Sequence, residues 1–263
     1  MSKADALKPT SFKHTLACAV SAAQAAGQLM RANLRAVKII NEATQHDIKL
    51  ELDVRCQKII ERILRRAFPD WAILGEEGMV GDPSAECRWV VDPIDGTVNF
   101  TYGIPHACVS IALQVKGTSS KLKIQNSKCN VQSPTFKVQR PTSKAPSAPA
   151  GFQTVVGVVY DPFCDELWTA LRGGPARLNG RAIRASSKTR LDEAIVSIGF
   201  AKEDDTLEKM LPALNQLVHR VRKIRIMGSA ALSLAYVATG RMDAFIEYGL
   251  RLWDIAAGGL IIE

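Results

Sequence analysis

Apolar residues recur at helical spacing in two stretches near the N-terminus. Residues 14–35 carry alanine and leucine every three or four positions, which predicts a first helix. A second helix is predicted to follow Asp53, with this aspartate as its N-cap and Pro69 as its stop signal. The chain therefore begins with two helices. The second buries one face, formed by Val54, Cys56, Ile60, Ile63, Leu64 and Ala67.

Short apolar runs bounded by turn residues predict strands in the next part of the chain. "WAIL" (71–74) and "RWVV" (88–91) are predicted as buried strands that run into acidic residues. "ACVSIALQV" (107–115) and "TVVGVVYD" (154–161) are expected to pair as a hairpin. "ELWTALR" and "ARLNGRAI" continue an antiparallel meander, with Asn179-Gly180 as a turn.

Strands and helices alternate beyond residue 190. Strands are predicted in "AIVSIGF", "KIRIM" and "MDAFIEYG". Each is followed by a predicted helix, in residues 204–220, "GSAALSLAYVATG" and "WDIAAGGLIIE" respectively. Together with the meander, this order indicates an α+β chain. The last predicted helix is still apolar where the sequence stops, at Glu263.

Residues 116–152 interrupt the predicted hairpin. This insert has four prolines, many serines and no helical period, so we expect a mostly disordered loop. Its six lysines and one arginine are accompanied by no acidic residue, so it accounts for most of the net charge of +8. Because the basic residues are confined to one segment with two phenylalanines, the sequence does not favour a nucleic-acid partner.

The composition is that of an ordinary soluble protein, with 47% hydrophobic and 23% charged residues. No apolar run approaches the ~18 residues of a membrane span, and the N-terminus lacks the apolar core of a secretory signal. The six cysteines are scattered without a CxxC pair. We therefore expect a cytoplasmic protein with reduced thiols and neither a disulfide framework nor a zinc site.

Acidic residues follow two of the predicted strands. Glu76 and Asp92 each come at the C-terminal end of a strand, where α/β folds form ligand crevices. Pro93 is expected to constrain a turn that directs the Ile94 carbonyl and the Asp95 carboxylate to the same point as Asp92. These hard oxygen ligands suit magnesium, which resolves the repulsion among the acids.

The residues after Asp95 suit an anion. Gly96 permits unusual backbone conformations, and Thr97-Val98 can start a helix whose free N–H groups would hold a phosphate. A lone DPxDG is as often a simple turn, and Glu76-Glu77 alone would be a solvated loop. The combination with Asp254, a further acid at a predicted helix start, favours a functional site.

Three motifs occur in an order that resembles the inositol monophosphatase family of magnesium-dependent, lithium-sensitive sugar phosphatases. They are "GEEG" (75–78), "DPIDGTVNF" (92–100) and "WDIAAG" (253–258). The resemblance covers nearly the whole chain apart from 116–152. It implies one domain over 1–263 with an αβαβα layered sandwich of the inositol monophosphatase and fructose-1,6-bisphosphatase type. Its halves would span about 1–190 and 191–263, and the protein would form a homodimer.

The resemblance also implies a role for each motif residue. Glu76, Asp92 and the Ile94 carbonyl would hold one Mg²⁺, and Asp92, Asp95 and Asp254 a second, with Glu76 assisting a weaker third through water.

In the same pattern, Thr97 and Glu76 would activate the attacking water, with Asp53 as a supporting acid near the threonine. The Gly96 and Thr97 amides would bind phosphate. Glu247, Asp95 and the turn formed by Gly228, Ser229 and Ala230 would bind the substrate hydroxyls. The chemistry needs no histidine, so the four histidines are expected to be structural or surface residues.

The predicted function is hydrolysis of inositol monophosphate, or a similar small polyol phosphate, by metal-activated water. The alternatives are fructose-1,6-bisphosphatase or another small-metabolite phosphatase of the superfamily. From a different class, the chain could be an inactive relative or a polyanion-binding module that uses the basic insert. Relatives usually continue beyond the WDxAAG helix, so we expect an incomplete C-terminal half and weakened stability and activity.

Overall fold

The computed structural model describes residues 9–43, 48–117, 151–200 and 204–263. Within these ranges the chain forms six α-helices and thirteen strands. In chain order they are α1 (Pro9–Asn33), β1 (Ile40–Ala43), β2 (Ile48–Leu50), α2 (Glu51–Ala67), β3 (Ala72–Gly75), β4 (Gly78–Val80), β5 (Cys87–Asp95), α3 (Thr97–Thr101), β6 (Cys108–Lys116), β7 (Phe152–Asp161), β8 (Glu166–Leu171), β9 (Arg177–Leu178), β10 (Arg181–Ala182), β11 (Ile195–Ile198), α4 (Asp204–Val218), β12 (Lys223–Arg225), α5 (Ala230–Ala238), β13 (Ala244–Ile246) and α6 (Leu252–Ile262).

A sheet of eight strands in the order β10-β9-β8-β7-β6-β5-β3-β4 forms the centre of the protein. The predicted hairpin is confirmed, because β6 pairs antiparallel with β7 from Val109 to Lys116. The predicted turn between β9 and β10 is also present. Asn179 and Gly180 there have φ of 47° and 79°, as a two-residue hairpin turn requires.

The central sheet is apolar on both faces because helices cover both. Along β5, the buried side chains of Trp89 and Val91 pack with α1 and α2, whereas Val90 packs with α5 and α6. Beyond α5 and α6 lies a second, parallel sheet in the order β12-β11-β13. The outer side of this sheet is covered by α4, whose Met210 packs on Val196 and Ile198. The five layers confirm the expected α+β sandwich.

The segment 92–95 stays in β5 instead of turning, contrary to the sequence expectation. Asp92 pairs with Ser110 and Asp95 with Cys108, so two residues of β5 oppose one residue of β6 between these pairs. This bulge arises because Pro93 has no N–H to donate to the ladder. The bulge turns the end of β5 without ending the strand.

Asp53 is not the N-cap of α2, which begins two residues earlier at Glu51. Its carboxylate instead lies at the third helical position and accepts a 2.7 Å hydrogen bond from the Leu50 amide. The early start follows from β2, which runs directly into the helix. The end of α2 at Ala67, just before Pro69, agrees with the prediction.

Residues 118–150 lie outside the described part of the chain, so the expectation of a disordered loop is not tested. On either side of them the β6–β7 ladder is regular up to the Lys116–Phe152 pair, and the Gly117 amide donates to the Gly151 carbonyl. The insert therefore leaves the sheet at a hairpin tip. None of the helices in the described ranges is long and apolar enough to cross a membrane.

Candidate functional site

A cavity of about 450 Å³ opens where β5 ends and α3 begins. Eleven of the twelve residues assigned to the site from sequence line it: Glu76, Asp92, Ile94, Asp95, Gly96, Thr97, Gly228, Ser229, Ala230, Glu247 and Asp254. They come from segments as far apart as the end of β3 and the start of α6. The fold thus brings the three sequence motifs to one place.

Asp53 is the exception, because it does not line the cavity. The residue is buried at the start of α2, which follows β2 directly. β2 packs against α3, the short helix that starts with Thr97. Asp53 is therefore separated from the cavity, at the start of a helix whose preceding strand contacts α3.

Asp92 lies at the centre of the acidic group. The residue is 2% exposed, and its Oδ1 accepts a hydrogen bond of 3.1 Å from the Ile94 amide. Burial raises the pKa of Asp92 well above the usual aspartate range, and the negative charges of Glu76, Asp95 and Asp254 raise this pKa further. The four acids are thus close enough to repel one another.

Asp95 is held by a ring of donors. Its Oδ2 accepts hydrogen bonds from the Ser229 hydroxyl at 2.5 Å, the Ala231 amide at 2.7 Å and the Cys108 thiol at 3.6 Å. Its Oδ1 accepts one hydrogen bond of 3.2 Å, from the Ala230 amide. Burial raises the pKa of Asp95, and these hydrogen bonds oppose the rise. The N-terminus of α5 therefore binds the end of β5.

Asp254 occupies the third position of α6 and accepts a 2.6 Å hydrogen bond from the Arg251 amide. Asp53 makes the same contact at the start of α2. An acidic residue in the first turn is favoured by the helix dipole, and the hydrogen bond fixes the direction of its side chain. The local sequence thus helps to orient the Asp254 carboxylate.

Gly96 joins β5 to α3 in a conformation that few other residues adopt. Its φ is +95°, and a Cβ here would lie 3.0 Å from the His106 carbonyl oxygen and 3.1 Å from that of Gly228. The next residue, Thr97, donates its hydroxyl to the Ile94 carbonyl at 2.8 Å. The chain is therefore tightly folded around the Ile94 oxygen.

Asn99 also lines the cavity, although the sequence interpretation gave it no role. Its side-chain amide donates to the carbonyls of His106 at 2.9 Å and Met227 at 2.8 Å. These bonds tie α3 to the turn that precedes α5. The remaining unassigned lining residues are Gly199 and an apolar group at the mouth, comprising Val98, Phe200, Leu207, Ile226 and Leu250.

The donor set suits a hard cation such as magnesium. The cavity offers carboxylate and carbonyl oxygens, and no lysine, arginine or histidine from the described ranges lines it. Among the described residues, no three metal-ligating side chains are already placed to hold one ion. Binding of a metal ion would therefore need rotation of some carboxylates.

The histidines within the described ranges do not line the cavity. His14 and His219 are exposed, and His106 is half-buried against Tyr236. His46 lies outside the described residues.

Comparison with known proteins agrees with the site. A sequence model described as "Inositol monophosphatase family" matches residues 12–120 and 151–263. "Nus factor SuhB" of Pseudomonas aeruginosa is 37% identical over 253 residues, covering 93% of this chain and 80% of that protein. "Inositol monophosphatase 1" of Solanum lycopersicum is 34% identical over 261 residues, covering 96% and 82%. The crystal structure of the extragenic suppressor protein suhB from Bartonella henselae superposes with a TM-score of 0.78 at 32% identity, covering 95% of this chain and 84% of that one.

Proposed function

Because the chain belongs to the inositol monophosphatase family, we propose that it is a magnesium-dependent phosphatase that hydrolyses inositol monophosphate or a similar small polyol phosphate. One observation carries the proposal. Glu76, Asp92, Asp95 and Asp254 line one cavity together with Ile94. An acidic group of this density is unfavourable unless a multivalent cation binds it.

In the proposed site, Glu76, Asp92 and the Ile94 carbonyl hold one magnesium ion. Asp92, Asp95 and Asp254 hold a second, and Glu76 assists a third through water. The chemistry that magnesium supplies when bound is neutralisation of the phosphate charge, activation of water near neutral pH and stabilisation of the leaving oxygen. The acids of this chain would set the number and position of the ions.

Thr97 and Glu76 are proposed to orient the attacking water. Because the Thr97 hydroxyl already donates its proton to Ile94, its oxygen can only accept a further hydrogen bond, which suits a water that must lose a proton. Glu76 would take up that proton. Asp53 would support α3 from behind the cavity.

The phosphate is proposed to lie against the amides of Gly96 and Thr97. The alcohol would then extend toward Glu247 and the turn formed by Gly228, Ser229 and Ala230, with Asp95 between the two groups. The location of all seven residues around one cavity supports this arrangement.

The names of relatives do not by themselves decide that this chain is an enzyme. Several proteins of similar identity are named "Nus factor SuhB", whereas two from Solanum lycopersicum are named inositol monophosphatases. The enzymatic proposal is supported by the acidic residues, because an inactive relative would be free to lose them. The expectations of a cytoplasmic homodimer and of lithium inhibition remain part of the proposal.

The test is phosphate release from myo-inositol 1-phosphate by the purified chain, with and without Mg²⁺ and with added Li⁺. We expect metal-dependent release that Asp95→Asn abolishes and that Asp192→Asn, which changes an exposed aspartate outside the cavity, leaves unchanged. Fructose 1,6-bisphosphate and glycerol 2-phosphate are tested in parallel to rank substrates. Folded protein that binds Mg²⁺ but releases no phosphate from any ester would contradict the proposed function.

A further inference from the structure

The Ser229 hydroxyl is fully engaged within the protein. Ser229 is 4% exposed, its Oγ donates to Asp95 Oδ2, and the same Oγ accepts a 3.3 Å hydrogen bond from the Leu232 amide as the N-cap of α5. A hydroxyl has one proton to donate. The side chain of Ser229 therefore has no proton left for a substrate hydroxyl, and its role at this site needs a different explanation.

The two oxygens of Asp95 are unequally occupied. Oδ2 accepts hydrogen bonds from Ser229, Ala231 and Cys108. Among the described residues, Oδ1 accepts only from the Ala230 amide, at the longer distance of 3.2 Å. A carboxylate oxygen has about two lone-pair sites. The lone pairs of Oδ2 are thus fully used within the protein, whereas Oδ1 keeps a lone pair that can bind a ligand in the cavity.

We propose that Ser229 is a positioning residue that fixes the rotation of the Asp95 carboxylate, so that Oδ1 is the oxygen presented to a magnesium ion. The inference rests on the proposed function, because it assumes that Asp95 is a metal ligand. The same hydroxyl caps α5, so the helix and the carboxylate are fixed by one atom. Hydrogen bonds behind a metal ligand typically change metal affinity by ~10–100-fold when they are removed.

The helix that carries Ser229 provides a matched control. Ser233, one turn later, is also buried, and its hydroxyl donates to the Ser229 carbonyl at 2.7 Å and lies 3.1 Å from the Ser197 hydroxyl. Within the described part of the chain its hydroxyl makes no hydrogen bond to Asp95, so Ser233→Ala removes a buried hydroxyl from the same helix without freeing the carboxylate.

The test is the dissociation constant of Mg²⁺, measured by titration calorimetry on the EDTA-treated full chain. Ser229→Ala is expected to weaken binding by ~10-fold or more. Ser229→Thr, which keeps the hydroxyl, should restore binding to within about twofold, and Ser233→Ala should stay within about twofold. If Ser229→Ala does not fold, Ser229→Gly replaces it, because glycine retains most of the capping stability without the hydroxyl.

A double-variant comparison separates positioning from general weakening of α5. In an Asp95→Asn chain, Ser229→Gly should cause no further loss of Mg²⁺ affinity, because Ser229 acts through the carboxylate that is already lost. An equal loss in both backgrounds would overturn the inference, and so would unchanged affinity in Ser229→Gly. Mg²⁺ binding without phosphate release would contradict the proposed function alone, and no Mg²⁺ binding by the unmodified chain would contradict both.

Discussion

A methyl group on Gly157 would lie 2.8 Å from the carbonyl oxygen of Ala257, so β7 and α6 touch through their backbones. Contact this close requires a residue without a side chain on the strand. Ala257 lies three residues after Asp254 on α6. The position of the acidic residue therefore depends on how closely the helix approaches the central sheet.

Gly157→Ala should consequently destabilise the protein and weaken Mg²⁺ binding. The added methyl group meets backbone, which cannot rotate away, and overpacking of this kind typically costs ~1–3 kcal/mol. Thermal unfolding and Mg²⁺ titration measure the two effects. Gly259→Ala is the control on α6, because a Cβ there meets nothing within 4 Å. Alanine should stabilise the helix at that position by up to ~1 kcal/mol. Equal melting temperatures for the two variants would contradict the close-contact argument.

Asp92→Asn should stabilise the metal-free protein at neutral pH. Because the pKa of Asp92 is raised in the folded state, the folded chain binds more protons than the unfolded chain above the usual aspartate pKa. The free energy of unfolding of the metal-free protein should therefore fall as pH rises from the usual aspartate pKa toward the raised pKa of Asp92. Asparagine carries no charge and so removes this loss of stability.

We expect the melting temperature of metal-free Asp92→Asn to exceed that of the unmodified chain by ~2–4 °C, the shift that about 1 kcal/mol produces. Added Mg²⁺ should raise the melting temperature of the unmodified chain and have little effect on the variant. A metal-free variant that melts below the unmodified chain at neutral pH would show that repulsion at Asp92 is not the dominant effect.

Asn99→Ala should loosen the connection between α3 and the turn before α5. The change leaves the part-buried carbonyls of His106 and Met227 without their donor. Since a fully buried unsatisfied group typically costs ~1–3 kcal/mol, we expect a loss near the lower end of that range. We expect a lower melting temperature and a higher KM for the phosphate ester. Asn215→Ala, at an exposed position of α4, is the control and should be neutral. An Asn99→Ala chain with unchanged stability and KM would contradict a bridging role.

Deletion of residues 118–150 should leave the fold and the phosphatase activity intact. The deletion joins Gly117 to Gly151 directly after the Lys116–Phe152 pair, and Gly-Gly is a favourable two-residue hairpin turn. The melting temperature and kcat should be close to those of the full chain, while binding to heparin should decrease because most of the excess positive charge is lost. Loss of phosphate release in the folded deletion variant would assign the insert a role in catalysis.

The sequence was sufficient to predict features that depend on local patterns. The β6–β7 pairing, the Asn179-Gly180 turn and the start of α3 at Thr97 follow from alternating apolar residues and from the turn residues beside them. The convergence of the acids was also predicted, because strand ends meet at one edge of a sheet.

Contacts between distant segments could not be predicted from these patterns. The hydrogen bonds from Ser229 to Asp95 and from Asn99 to Met227 join residues more than a hundred positions apart. The bulge at 92–95 depends on the register of β6, and the start of α2 at Glu51 depends on β2. Each is decided by tertiary pairing, which overrides the local preferences of proline and aspartate.

The separation of the acids along the chain also sets the order in which the cavity forms during synthesis. Glu76, Asp92 and Asp95 leave the ribosome early, whereas Asp254 follows roughly 160 residues after Asp95. At ~5–20 residues per second, this interval is on the order of 10 s. During that time the nascent chain carries a concentrated negative charge without its fourth acid. The proposed divalent-cation site is therefore complete only after α6 has been synthesised.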